Sequence, residues 1–242
     1  MSNNFDKYYD LIFLNKNYKK EVLYILKKIK KIRVSKILDV GCGTGTHINL
    51  ISKKKKSFIY GLDDNKNLIK KAKKKNPTII FKTSKVKDIK ENNFDLVLSM
   101  FNVVNYFKDF KKLVFFFSDI KKKMSKESIL IFDAWNGLFK FKSKNAREKR
   151  IIKNKNFILT NNIESINKPI TKNILLKYKI IINFFKDKKN IYINHRLVQF
   201  LWTPNQIKSA LVLAGFKNII IKKSFSDKSF TKHDLKIIFL AK

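Results

Sequence analysis

With 242 residues, 44% of them hydrophobic, the chain is long enough for one large core or a core with a smaller appended layer, and a single enzyme-sized domain is expected. Its formal charge of +37 comes from 55 basic against 18 acidic residues, a balance that taken alone suits nucleic acid or an anionic membrane. Only four of the basic residues are arginine (Arg33, Arg147, Arg150 and Arg196), the lysines run from Lys7 to Lys242, and Gly and Pro number six and three. That is the bias of an AT-rich genome, in which lysine is the default polar residue. Base-reading proteins favour arginine for its bidentate fork, so a solvated lysine-rich surface is the first reading and a nucleic-acid partner the second. No apolar run approaches the roughly 20 residues that span a bilayer. The start, MSNNFDKYYD, lacks the basic and apolar regions of a signal peptide. A cytoplasmic location with no membrane partner is expected. The single cysteine, Cys42, excludes an internal disulfide and a Cys-rich metal cage.

In chain order, KKEVLYILKKIKKIR at 19–33 places Val22, Leu23, Ile25, Leu26 and Ile29 at helical spacing. Ser35 to Val40 follows as a short buried strand, and Thr46 to Lys54 as a helix. SFIYGLD is a second strand ending at Asp63, with Asn65 placed to cap a helix over 66–75. TIIFKT is a third strand, FDLVLSM a fourth, LVFFFSDIKKKM a helix and SILIFDA a fifth strand. This alternation predicts an α/β fold, a Rossmann-like, mostly parallel seven-stranded sheet flanked by helices. After the fifth strand three β-rich runs, FILTNNIESI, NILLKYKIIINFF and NIYINHRLVQFLW, predict an inserted antiparallel β layer. TPNQIKSALVLAGF is then a helix with Thr203 as cap, Pro204 in its first turn and Gly215 as terminator. KNIIIKKS and LKIIFLA close the sheet. The expected organisation is one domain, 1–242, with a lid and helix over 1–33, a core over 34–140, the β layer over 141–202 and a closing helix and strands over 203–242.

The stretch ILDVGCGTGTHINL sets Gly41, Gly43 and Gly45 on the first strand-to-helix turn, where ligands bind in doubly wound sheets. Glycines there let the backbone bend tightly and approach a ligand. The pattern D-x-G-x-G-x-G departs from the dinucleotide fingerprint G-x-G-x-x-G, since Thr46 stands where the last glycine would be. No G-K-[ST] follows, which excludes a Walker loop. Asp63, 22 residues after Gly41, is placed to accept the hydroxyls of an unphosphorylated ribose.

ILDVGCGTGTH resembles motif I of class I S-adenosylmethionine-dependent methyltransferases, and most of the chain shares the resemblance. YGLDDN is similar to their acidic ribose motif, NFDLVLSMFNVVNYF to the fourth-strand motif and ILIFDAWNG to the fifth. The head YDLIFLNKNYKKE resembles that of small-molecule members, including N-methyltransferases of nucleotide-linked amino sugars, which also carry an antiparallel layer. The resemblance implies S-adenosylmethionine as cofactor. Asp39 and the three glycines would meet its methionine part, Asp63 its ribose, and the Met100 backbone its amino group. Ser84 and Lys85 stand where the family has G-D after the third strand, so adenine would be met by Asp88 or the Val86 backbone. Phe13 replaces the second tyrosine of the head.

Methyl transfer from a sulfonium is an in-line displacement that rests on alignment and exclusion of water. A hydroxyl acceptor needs a base, for which Tyr106 and His195 are the candidates, whereas a neutral amine does not. Tyr9 and Tyr18 in the head, with Trp135 and Asn136 after the fifth strand, are the expected cofactor-facing and acceptor-facing residues, the aromatics favouring the sulfonium through cation–π attraction. The absence of [DN]-P-P-[YFW] after the fourth strand argues against exocyclic base amines as acceptors, and the cofactor-loop position of Cys42 against cytosine C5. No paired acid and asparagine pattern suggests a metal. The expected partner is a small-molecule acceptor, such as a nucleotide-linked sugar. An RNA or ribosome methyltransferase and an inactive RNA-binding scaffold stand as alternatives, and a homodimer is left open.

Overall fold

The structure, a computed structural model, describes residues 4–142, 145–168 and 170–242. In chain order it forms α1 (Asn4–Lys7), α2 (Tyr9–Ile12), α3 (Tyr18–Lys28), β1 (Lys36–Val40), α4 (Thr46–Ser52), β2 (Phe58–Leu62), α5 (Lys66–Lys75), β3 (Ile80–Lys82), β4 (Phe94–Ser99), α6 (Phe110–Lys123) and β5 (Met124–Trp135). There follow α7 (Gly137–Lys142), β6 (Ala146–Lys153), β7 (Phe157–Lys168), β8 (Asn173–Phe184), β9 (Lys189–Phe200), α8 (Pro204–Leu213), β10 (Ile219–Lys223) and β11 (Lys236–Ala241). These elements gather into two compact units, residues 17–139 with 202–242, and residues 1–16 with 140–201.

The larger unit holds a seven-stranded sheet in the order β10-β11-β5-β4-β1-β2-β3. The five strands from β1 to β5 run parallel, and β11 pairs antiparallel with both β5 and β10. The inner strands are buried along nearly their whole length, as strands covered on both faces must be. Strand order reverses between β1 and β4, which opens the crevice at the carboxyl end of β1. At the opposite end, the Asp95 carboxylate accepts the amides of Ser35 and Lys36 at 2.8 and 3.0 Å and the Ser125 hydroxyl at 3.0 Å, tying β1, β4 and β5 in register.

The predicted caps are in place. Asn65 Oδ1 accepts the amides of Asn67 and Leu68 at the start of α5, and Thr203 forms a capping box with Gln206 behind Pro204. The helix expected over 19–33 stops earlier, at Lys28, and its face is narrower than the apolar spacing suggests: Val22, Ile25 and Ile29 are buried while Leu23 is exposed.

The smaller unit is a four-stranded antiparallel sheet, β6-β7-β8-β9, one strand more than expected. The extra strand, AREKRIIK, pairs along its full length with β7, but as an edge it is built mostly of charged residues, which hid it from a search for apolar runs. Helix α7 was likewise unexpected. The expected 1–33 head divides at residue 16, with α1 and α2 joining the four-stranded sheet and α3 the seven-stranded one. Inside this unit Phe5 stacks on His195 with ring centroids 3.8 Å apart and also meets Tyr9, Phe13 and Tyr178.

Because Ile25 is fully buried and Leu23 is not, Ile25→Ala is expected to cost about 2–5 kcal/mol in denaturant unfolding and Leu23→Ala about 0.5 or less. Equal costs would show that α3 buries a different face.

Candidate active site

The crevice is built on one backbone junction. After β1 the chain bends through Gly41, Gly43 and Gly45, with φ of 74, 56 and 75°, all in the left-handed region. The Leu62 carbonyl, at the end of β2, accepts the amides of both Gly41 and Cys42 at 2.8 Å. Next to it Asp63 takes the Gly43 amide on Oδ2 and the Asn65 amide on Oδ1, each at 2.8 Å. One carboxylate thus fixes the loop and the approach to α5. A Cβ on Gly41 would lie 2.5 Å from Val103 Cγ2, and one on Gly45 2.6 Å from the Phe81 ring, which also lies 2.6 Å from a Cβ on Gly61. Gly45 therefore makes the close helix-to-strand approach that the dinucleotide fingerprint assigns to its last glycine.

Beneath the loop Asp39 is 1% exposed, and neither of its carboxylate oxygens has a hydrogen-bond partner among the described residues. Burial, and secondarily the Asp63 charge, push its pKa up to about 8. A desolvated acid with vacant oxygens is a seat for a cationic donor. Burial, then Asp39 and Asp63, also raise the Cys42 thiol, so this cysteine is no thiolate nucleophile.

On the β4 side Met100 is buried, and the next two residues, Phe101 and Asn102, both have positive φ. Their amides donate to Asp133 Oδ1 at 2.5 and 2.9 Å. Tyr106 follows in a 3-10 turn over Val103–Tyr106. It is 53% exposed, yet the protein around its hydroxyl, and behind that Asp63, push its pKa up to about 12. Trp135, at the end of β5, donates its amide to Asn105 Oδ1 at 3.1 Å. Tyr18 leans edge-on against His47 at 5.0 Å, and His47 Nε2 pairs with Glu21 Oε2 at 2.7 Å. Asp88 sits exposed in the turn after β3, with Val86 buried beside it.

The larger unit thus contains Asp39, the three glycines, Asp63, Asp88, Met100, Tyr106, Trp135 and Tyr18. Asn136 is there too but points inward: it is fully buried, its amide donates to the Thr231 and Asp234 carbonyls at 3.1 and 2.9 Å, and its oxygen accepts the Leu138 amide. Those bonds tie the end of β5 to the loop before β11. Tyr9 and His195 lie in the smaller unit's aromatic cluster, where burial lowers the His195 pKa against an opposing pull from Asp6. Sequence reasoning passed over Glu21, His47 and Asp133. Asp133 had a signal, an acid at the end of an otherwise apolar strand; the pairing of Glu21 with His47 across 26 residues had none.

A family model described as a methyltransferase domain matches residues 37–127. The chain is 27% identical over 132 residues to dTDP-3-amino-3,4,6-trideoxy-alpha-D-glucopyranose N,N-dimethyltransferase of Streptomyces venezuelae, and the match spans 52% of this chain and 55% of that enzyme. In fold it is similar to Streptomyces venezuelae DesVI, with a TM-score of 0.84 at 18% identity over 97% of this chain and 96% of that one. The sugar N-methyltransferase KedS8 from Streptoalloteichus superposes with a TM-score of 0.79 at 15% identity, covering 96% and 91%.

The Asp39 pKa carries a stability consequence. An unfolded aspartate ionises near 3.8, whereas Asp39 keeps its proton to about 8. Between those values the folded state holds the extra proton, so this group's contribution to stability falls as pH rises across the window. Asp39→Asn is expected to gain in Tm relative to wild type from pH 4 toward pH 8; parallel Tm curves would show that the carboxyl is not so buried.

Proposed function

Because residues 37–127 match a methyltransferase-domain family model and the chain shares its fold with an S-adenosylmethionine-dependent methyltransferase, we propose that this chain methylates a nitrogen or oxygen of a small molecule, such as a nucleotide-linked sugar. The observation that carries the cofactor assignment is the buried, unpartnered Asp39 carboxylate under a left-handed glycine loop. It fits the ammonium of the methionine part, and Asp63, an acid just past the end of β2, is assigned to the ribose hydroxyls. Asp88 or the Val86 backbone is assigned to the adenine, and the Met100 backbone and Tyr18 to the methionine end. S-adenosylmethionine supplies an electrophilic methyl on a sulfonium.

The chain's own task is to align the acceptor and exclude water. A tyrosine with its pKa near 12 holds its proton at neutral pH, so Tyr106 serves as a hydrogen-bonding group and not as a base. His195, its pKa lowered by burial, is neutral there and able to take a proton. Within the larger unit, Trp135 is assigned to the acceptor. An amine acceptor needs no base, which agrees with the amino-sugar substrate named for the Streptomyces relative. A formal charge of +37 keeps RNA as a second acceptor class.

Gly43→Val forces a β-branched residue to φ 56° and disturbs the amide held by Asp63. It is expected to abolish S-adenosylmethionine binding in calorimetry, and retained affinity would refute the placement of the loop. A radiolabelled methyl-transfer screen over amino-sugar nucleotides, small amines and total RNA identifies the acceptor. Label in the RNA alone would overturn the small-molecule reading.

A further inference from the structure

Phe101 and Asn102 take the left-handed conformation consecutively, at φ 75 and 60°; asparagine tolerates that region, but a phenylalanine adopts it only when the surroundings impose it. The constraint comes from β5. Asp133 is 1% exposed, and one of its oxygens accepts both amides. The other faces Lys236 Nζ at 3.7 Å. That ammonium lies 4.8 Å from the centre of the Trp135 ring, its cross-strand neighbour, and 5.3 Å from that of Phe101. A carboxylate this deep is costly without a compensating charge, and Lys236 provides it while gripping the turn from the Phe101 side.

What the turn holds bears on the cofactor. Val103 packs against Gly41 so closely that a Cβ on the glycine would overlap it. At the turn's start, Ser99 Oγ and Asn102 Oδ1 are buried with no hydrogen-bond partner among the described residues, like both oxygens of Asp39. Ser99 and Asp39 lie on paired strands, with Asp39 opposite Leu98.

We propose that Asp133 and Lys236 are positioning residues: the pair holds the 100–103 turn so that Ser99, Asn102 and Asp39 present their vacant polar atoms to the methionine end of the cofactor. The proposal rests on the S-adenosylmethionine reading, and its test has one arm that needs no ligand. Lys236→Met is expected to weaken S-adenosylmethionine binding by about tenfold or more in calorimetry, and to speed amide exchange of Phe101 and Asn102 in NMR by a similar factor. Exchange within β4, at Leu96 to Leu98, stays at the wild-type rate, and Lys236→Arg restores both readouts. Asp133→Asn goes the same way if it folds; Lys236→Met decides the matter if it does not. Phe239→Leu serves as the core control, since it loosens β11 and lowers Tm without touching the turn. Wild-type exchange and affinity in Lys236→Met would overturn the proposal, as would a Phe239→Leu protein that reproduces both changes. Failure of the wild type to bind S-adenosylmethionine would sink the cofactor reading, and with it the cofactor part of this one, while exchange at Phe101 and Asn102 still decides whether the pair holds the turn.

Discussion

The carbonyl of Leu62 receiving two successive amides is the constraint on which the crevice depends. It forces the chain leaving β1 to turn back over the end of β2, and only residues tolerant of positive φ can make that turn. With the bend fixed, the Gly43 amide falls to Asp63, Asp39 is roofed over, and the space beside Gly41 is taken by Val103 from the turn after the neighbouring β4. Loop, Asp63 and post-β4 turn are therefore one assembly in which each part limits the others.

Electrostatics divides the molecule by depth. Cations crowd the surface, while the carboxylates at the strand ends are withdrawn from them: Asp39 has no ion-pair partner among the described residues, Asp63 binds backbone amides, and Asp133 meets a single ammonium. The lysine-rich exterior sets solubility and long-range attraction, while Asp39 and Asp133 are each only 1% exposed.

Much of this was legible in the sequence because it lay in local pattern. Strand and helix alternate with the expected periods, Asn65 and Thr203 announce their helices, and the glycine spacing after β1 singles out the loop before any geometry is known. What stayed hidden depends on distance along the chain. Leu23 fits the helical apolar spacing yet faces solvent, because only packing tells which flank of a stripe is covered. The strand over 146–153 is charged as edges are, so burial periodicity was silent. Asn136 follows a strand end in the crevice region, but its amide is consumed by carbonyls nearly a hundred residues on. Asp133 looked like one more residue of the fifth strand until its carboxylate was found under two left-handed amides.

The phenyl ring of Phe81 occupies the room that methyl groups on both Gly45 and Gly61 would need. These three positions are consequently not independent in heredity. An alanine at 61 needs the ring exchanged for something smaller and the Cys42 sulfur, 3.0 Å from that Cβ, to give way, whereas position 45 stays barred even then, because its φ of 75° would still penalise a Cβ. Drift at this corner of the molecule must run through residue 81 before it can reach the strand beside it, and it stops short of the loop.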